Sequence, residues 1–154
     1  MKFVTEQIVA SPREVVFAAL TDFARFEREA ASSGVELHRS DTLTRPGPGM
    51  RWRARFELRG RKRELMAELM RINHPSDILL SGKVGGLEGE LAFDLAETAV
   101  NETRLMVEMN LRARSITAKL LLQSVKLARA NVARRFRRRV NTFCRQTEKQ
   151  LEWV

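Results

Sequence analysis

Met50-Arg51-Trp52-Arg53-Ala54-Arg55-Phe56-Glu57-Leu58-Arg59 is the most regular alternation in the chain. Successive side chains of an extended backbone point to opposite faces, so Met50, Trp52, Ala54, Phe56 and Leu58 share one side. Arg51, Arg53, Arg55, Glu57 and Arg59 share the other. One apolar and one charged face predict a strand of an antiparallel sheet, with a core on one side and water on the other. Gly60 then supplies a hairpin turn. The returning segment, Arg61 to Ile72, holds good helix formers in Glu64-Leu65-Met66-Ala67-Glu68-Leu69-Met70. A tight turn after a strong strand favours a partner strand, so a strand is expected.

Working outward, His74-Pro75-Ser76-Asp77 reads as a turn, because the residue before proline is pushed out of the helical region. Three more strands are expected at about 78–84, 87–96 and 103–113. Leu87, Gly89, Leu91, Phe93 and Leu95 alternate with Glu88, Glu90, Ala92, Asp94 and Ala96. Leu105, Val107, Met109 and Leu111 alternate with Met106, Glu108, Asn110 and Arg112. Upstream, Arg45-Pro46-Gly47-Pro48-Gly49 is a loop and 35–38 a short alternating segment. Ser11-Pro12-Arg13-Glu14 opens a helix: Ser11 as cap, Pro12 at the first position and Glu14 completing a capping box. Val15, Val16, Phe17 and Leu20 form its apolar side; Thr21 and Asp22 interrupt it, and a second short helix spans about 23–30. Residues 2–9 form a first strand. At the other end a long helix is expected from about 116 to 151, with Leu121, Val125, Ala128, Val132, Phe136, Val140 and Phe143 at spacings of three and four.

The charge is uneven. The 154 residues carry a net charge of +9 from 28 basic and 19 acidic side chains. Between Arg112 and Thr147 there are eleven basic residues and no Asp or Glu, which leaves the rest near −2. Placing 100° per residue on the long helix puts Lys126, Arg134, Arg137, Arg138 and Arg145 opposite the apolar stripe. Such a face suits an anionic partner, or serves only as a solvated surface. A single cysteine, Cys144, excludes a disulfide-stapled scaffold. No apolar run approaches the ~20 residues that cross a bilayer, and the first residues contain no signal-peptide core, so a cytoplasmic setting is expected.

Strand, two short helices, about six antiparallel strands and one long helix resembles the helix-grip fold of the START-like superfamily (SRPBCC), the polyketide cyclase/dehydrase and lipid-transport group. Ser11-Pro12-Arg13-Glu14-Val15-Val16-Phe17, Leu20-Thr21-Asp22 and Gly49-Met50-Arg51-Trp52 carry the resemblance, with the amphipathic C-terminal helix. It implies one α+β domain over residues 1–154, a curved antiparallel sheet of six or seven strands wrapped around the long helix. It also implies an apolar cavity between them. Trp52, Phe56, Leu58, Leu91, Phe93, Val107, Met109 and Leu111 would line its sheet wall, and Val132, Phe136, Val140 and Phe143 its helix wall. Alternation reports burial rather than binding, so the same side chains also read as a closed core.

Three functions follow. The first is binding or transport of a hydrophobic small molecule such as a lipid, isoprenoid or polyketide. The second is a cyclase/dehydrase-type enzyme, which needs an acid–base pair at the cavity. Glu57, Glu88, Glu90, Asp94 and Glu108 fall on the outward face; Ser81, Thr103, Asn110 or Arg139 would have to face inward, and no catalytic residue is assigned. The third is an interaction module using Arg134, Arg135, Arg137, Arg138 and Arg145 to dock on an anionic membrane or RNA. Exposed aromatic stacking platforms are missing, which disfavours nucleic acid. His38, His74 and Cys144 lie in separate elements, so no metal site or cofactor is expected. The oligomeric state is left open.

Overall fold

The computed structural model describes residues 1–58 and 60–152, with Leu58, Leu151 and Glu152 described by backbone alone. Seven strands, β1 (Lys2–Val9), β2 (Glu36–Arg39), β3 (Arg51–Leu58), β4 (Arg61–Asn73), β5 (Asp77–Val84), β6 (Leu87–Ala99) and β7 (Glu102–Ala113), form one antiparallel sheet. Their order is β1-β7-β6-β5-β4-β3-β2, so the first strand closes against the last. With the helices described below, this is a helix-grip α+β architecture. β4 is a strand despite its helix formers. Gly60 takes a left-handed conformation (φ 74°), and the pairing of Ala54 with Leu65 and Trp52 with Ala67 puts the apolar sides of both strands on one face. A register shift between Leu69 and Arg71 re-phases β4, so that Leu69 meets Leu80 and Ile72 meets Ile78. Arg59 lies outside the described residues.

Three helical expectations need correction. α1 (Arg13–Leu20) is capped by Pro12, without a side-chain hydrogen bond, rather than by Ser11. Ser11 is held against β7, where its carbonyl accepts from Thr103 Oγ1 at 2.8 Å; its own hydroxyl is buried with no partner. Asp22, read as an interruption, caps α2 (Phe23–Ser32) by accepting from the Arg25 amide at 3.3 Å. The single C-terminal helix is two, α3 (Ile116–Leu127) and α4 (Arg129–Glu152), broken at Ala128. Alanine has no intrinsic reason to end a helix. The break lets α3 lie on β6 and β7 while α4 turns onto β1 and α1, and Ala128 of the expected stripe is exposed.

α4 runs beside an edge strand. Arg129 donates to the Lys2 carbonyl at 3.0 Å and Arg145 to the Ile8 carbonyl at 2.7 Å, occupying carbonyls of β1 that have no further strand. Burial is graded along the strands. At one end Leu69, Ile78, Leu95, Leu105 and Val107 pack with Val9, Val16, Phe17 and Cys144 into a closed core plugged by α1. Two to four residues further along, Leu65, Leu80, Leu91, Met109 and Leu111 face the same way and are half-buried. Leu105→Ala should therefore cost about 2–5 kcal/mol in urea unfolding, as other large-to-small core changes do, and Leu111→Ala should cost clearly less. Equal costs would mean that the two ends are packed alike.

Candidate functional site

Register builds a trough on the concave face. One cross-strand row runs Trp52, Ala67, Gly82, Gly89, Leu111 from β3 to β7. Its middle holds the three smallest side chains, which lowers the floor. A Cβ on Gly82 would sit 3.2 Å from Leu65 Cδ1, and one on Gly89 3.2 Å from Leu111 Cδ2, so the two leucines lie down over the glycines. Above this floor stand Val132, Phe136, Val140 and Phe143 of α4, with Leu121, Leu122 and Val125 of α3, all half-buried.

The expected wall residues divide. Phe56, Leu91, Phe93, Met109 and Leu111 of the sheet are half-buried on the concave face, as are the four α4 residues. Trp52 and Val107 are core: Val107 is sealed at the closed end, and Trp52 donates Nε1 to Glu27 at 2.9 Å with its ring 5.3 Å from Phe23. Both therefore tie the frame together rather than stand open. Phe143 leans on Phe26 of α2, 6.3 Å between rings. The Leu58 side chain lies outside the described residues.

Polar groups follow the alternation. Glu88 pairs with Arg114 at 3.2 Å, Glu90 with Arg112 at 3.2 Å and Glu108 with Lys2 at 3.1 Å, all on the convex face. The Arg114 hydrogen bond holds the Glu88 carboxyl below its ordinary range. Ser81 and Asn110 share that outer register, each opposite Glu90. Thr103 faces inward at the closed end and is spent on Ser11, while Arg139 is exposed. Inward polar residues escaped the sequence reading: Arg39 opposite Trp52, Arg61 opposite Leu58 and Arg63 opposite Phe56 all stand on the concave face. Arg63 Nε is buried and has no hydrogen-bond partner among the described residues. Counting back from the hairpin pairs Leu58 with Arg61 and then Phe56 with Arg63, a signal present in the sequence once β4 is accepted as a strand.

The basic residues also separate. Arg134, Arg137 and Arg138 line a surface groove with Gln7 and Asn141 beside β1, and Arg135 is exposed. Arg145 is engaged by the Ile8 carbonyl and by Glu148 at 2.8 Å. A second depression lies between α2 and the loop before β3, lined by Phe23, Glu27, Arg39 and Leu43 among others. Asp41 fixes that loop: Arg39 and the Arg51 and Leu43 amides donate to it, in that order of weight, and hold its carboxyl far below the usual range. His38 is exposed and His74 sits edge-on to Phe17 at 4.9 Å. Among the described residues no three His, Cys, Asp or Glu side chains cluster as metal ligands.

The curled sheet gripping a C-terminal helix defines a fold class, the helix grip. Particular solved structures share it. The aromatase/cyclase Zhui from Streptomyces sp. R1128 aligns at 13% identity and TM-score 0.70, covering 98% of this chain and 95% of that one. A START superfamily protein from Mycobacterium smegmatis aligns at 13% and 0.56, over 87% and 95%. Norcoclaurine synthase from Thalictrum flavum aligns at 10% and 0.62, over 80% and 75%. Likeness at these identities is likeness of fold. No protein-family model and no curated protein matches the sequence.

Burial pushes the Cys144 thiol up to about 11, against neighbouring Arg145, which acts in the opposite direction. An unfolded thiol ionises near pH ~8.5. Below that pH both states keep the proton; above it only the unfolded chain loses it, so stability should fall from about pH 8.5 to about 11. Iodoacetamide at pH 8 should leave native Cys144 unmodified and alkylate it in denaturant. Rapid native labelling would contradict the burial.

Proposed function

We propose that the protein binds and carries a hydrophobic small molecule, of lipid, isoprenoid or polyketide-like character, in the trough between the sheet and α3–α4. The observation that carries this reading is the open half of the concave face. Apolar side chains there keep solvent-exposed area although their neighbours on the same strands are sealed. Exposed apolar surface of this kind costs free energy in proportion to its area unless something covers it. The structural neighbours include an aromatase/cyclase and a START superfamily protein, which supports a hydrophobic ligand at the level of chemical class. A carrier is favoured over a cyclase because Ser81 and Asn110 stand on the outer register and Thr103 is engaged at the closed end.

Native mass spectrometry of freshly purified protein should show an added small-molecule mass that organic extraction removes. Gly89→Leu, which would raise the floor against Leu111, should abolish that mass and uptake of an apolar fluorophore while the far-UV spectrum stays native. No added mass and no dye uptake by the wild-type protein would overturn the carrier reading.

A second observation favours docking on an anionic membrane. Ile116, Leu120 and Leu127 of α3 are 79%, 61% and 93% exposed and fall within about 40° of one another around the helix. Lys119 and Lys126 lie along one edge of this stripe, in the segment free of acidic residues. An exposed apolar stripe edged by lysines suits shallow insertion beside anionic head groups, with about 1 kcal/mol from each basic residue near the surface. Flotation should recover the protein with phosphatidylserine-containing vesicles and not with neutral ones, and serine at positions 116, 120 and 127 should reduce recovery. Equal, salt-insensitive recovery on both vesicles would exclude docking.

A further inference from the structure

Arg63 stands on the inner register of β4 between Arg61, which is exposed at the hairpin end, and the apolar Leu65. The pairing of β3 with β4 sets it opposite Phe56, two residues from Leu65. The carboxylate next to it in sequence, Glu64, belongs to the opposite face and is occupied by Arg53 at 3.4 Å and Arg55 at 3.2 Å. Among the described residues nothing accepts from Arg63 Nε, which is shut off from water. A buried donor without an acceptor is costly, and more so when the group is charged. The neighbouring inward positions, Phe56, Arg61, Leu65 and Ala67, include no acceptor side chain that would offset that cost.

We infer that Arg63 receives the carboxylate of the bound molecule, so that the ligand is an amphiphile with one carboxylate at the end of a long apolar body. This rests on the carrier reading and narrows it. Guanidinium presents two parallel N–H groups that match a carboxylate, and Nε with one Nη is such a pair. The planar guanidinium edge matches the planar, two-oxygen carboxylate more closely than the tetrahedral head of a phosphate. From Arg63 to Leu69, the first fully buried inward residue of β4, six residues of strand span about 20 Å, with the apolar side chains of Leu65 and Ala67 on the same face between them. Head-group capture at Arg63 would direct the tail toward the closed end.

The test compares palmitate with methyl palmitate, which share the tail and differ in charge, by calorimetry on delipidated full-length protein. Palmitate should bind at least about tenfold more tightly. Arg63→Met should bring palmitate to the level of the ester, leave the ester unchanged and not lower the melting temperature, because it removes a buried donor that has no partner. Arg63→Lys should retain part of the preference. Equal binding of acid and ester to the wild-type protein, or unchanged palmitate affinity in Arg63→Met, would overturn the assignment of Arg63 and leave the carrier reading standing. Binding of neither probe, together with no apolar mass on the purified protein, would overturn the carrier reading and this assignment with it.

Discussion

One helix is too narrow for this sheet. Seven antiparallel strands spaced at about 4.8 Å make a face about 29 Å across, whereas an α-helix with its side chains is about 10–12 Å wide. The concave face is apolar along its length, so the sheet must curl around whatever covers it. α4 takes one side, laid along β1 by Arg129 and Arg145 on the strand's carbonyls. α1 and α2 plug one end, where Trp52 binds Glu27 and packs on Phe23. At the other end α3 alone stands over Leu91, Met109 and Leu111, and those residues remain half-buried. The trough is what this mismatch of widths leaves over.

The same geometry sorts the charges. Strand carboxylates go to the convex face because alternation allows nothing else, and there they meet arginines and lysines of neighbouring strands. Those pairs are exposed and contribute little individually; they keep both signs mixed on an outer surface that must stay wet. The basic residues between Arg112 and Thr147 lie in a stretch without acids, and only Arg145, near its end, meets a helical carboxylate, Glu148. Two hold the edge strand, three line a groove beside it, and the lysines of α3 lie along one edge of an apolar stripe. Three arginines depart from the sorting and fall on the inner register: Arg39, which is held by Asp41, Arg61, exposed at the hairpin end, and Arg63, whose Nε finds no acceptor among the described residues.

Much of this was legible beforehand. The period-two runs of 50–58 and 103–113 and the hairpin at Gly60 gave strands close to their observed limits, and the order of elements pointed to the helix grip. β4 was legible only by arguing from the turn against its own helix formers. The Ser11 capping box was misread because a local hydrogen-bond pattern cannot show that β7 already holds that residue. The break at Ala128 had no local signal at all. For the trough, the inward residues were correctly phased, yet nothing in a pattern distinguishes Val107, sealed in the core, from Met109, left partly open two residues later. Arg63 was missed because β4 was assigned a secondary structure without a phase.

Sequence by itself determined which side chains share a face, since that depends on the period of two in strands and 3.6 in helices and on turns a few residues long. It also determined where the excess positive charge lies. Only the tertiary structure decided which part of the inner face is covered, where the C-terminal helix breaks, and that Arg63 Nε finds no acceptor among the described residues. Those outcomes depend on how a wide curled sheet, a narrow helix and two short plugging helices share one space. That is a matter of distances between segments far apart in the chain, which no local pattern records.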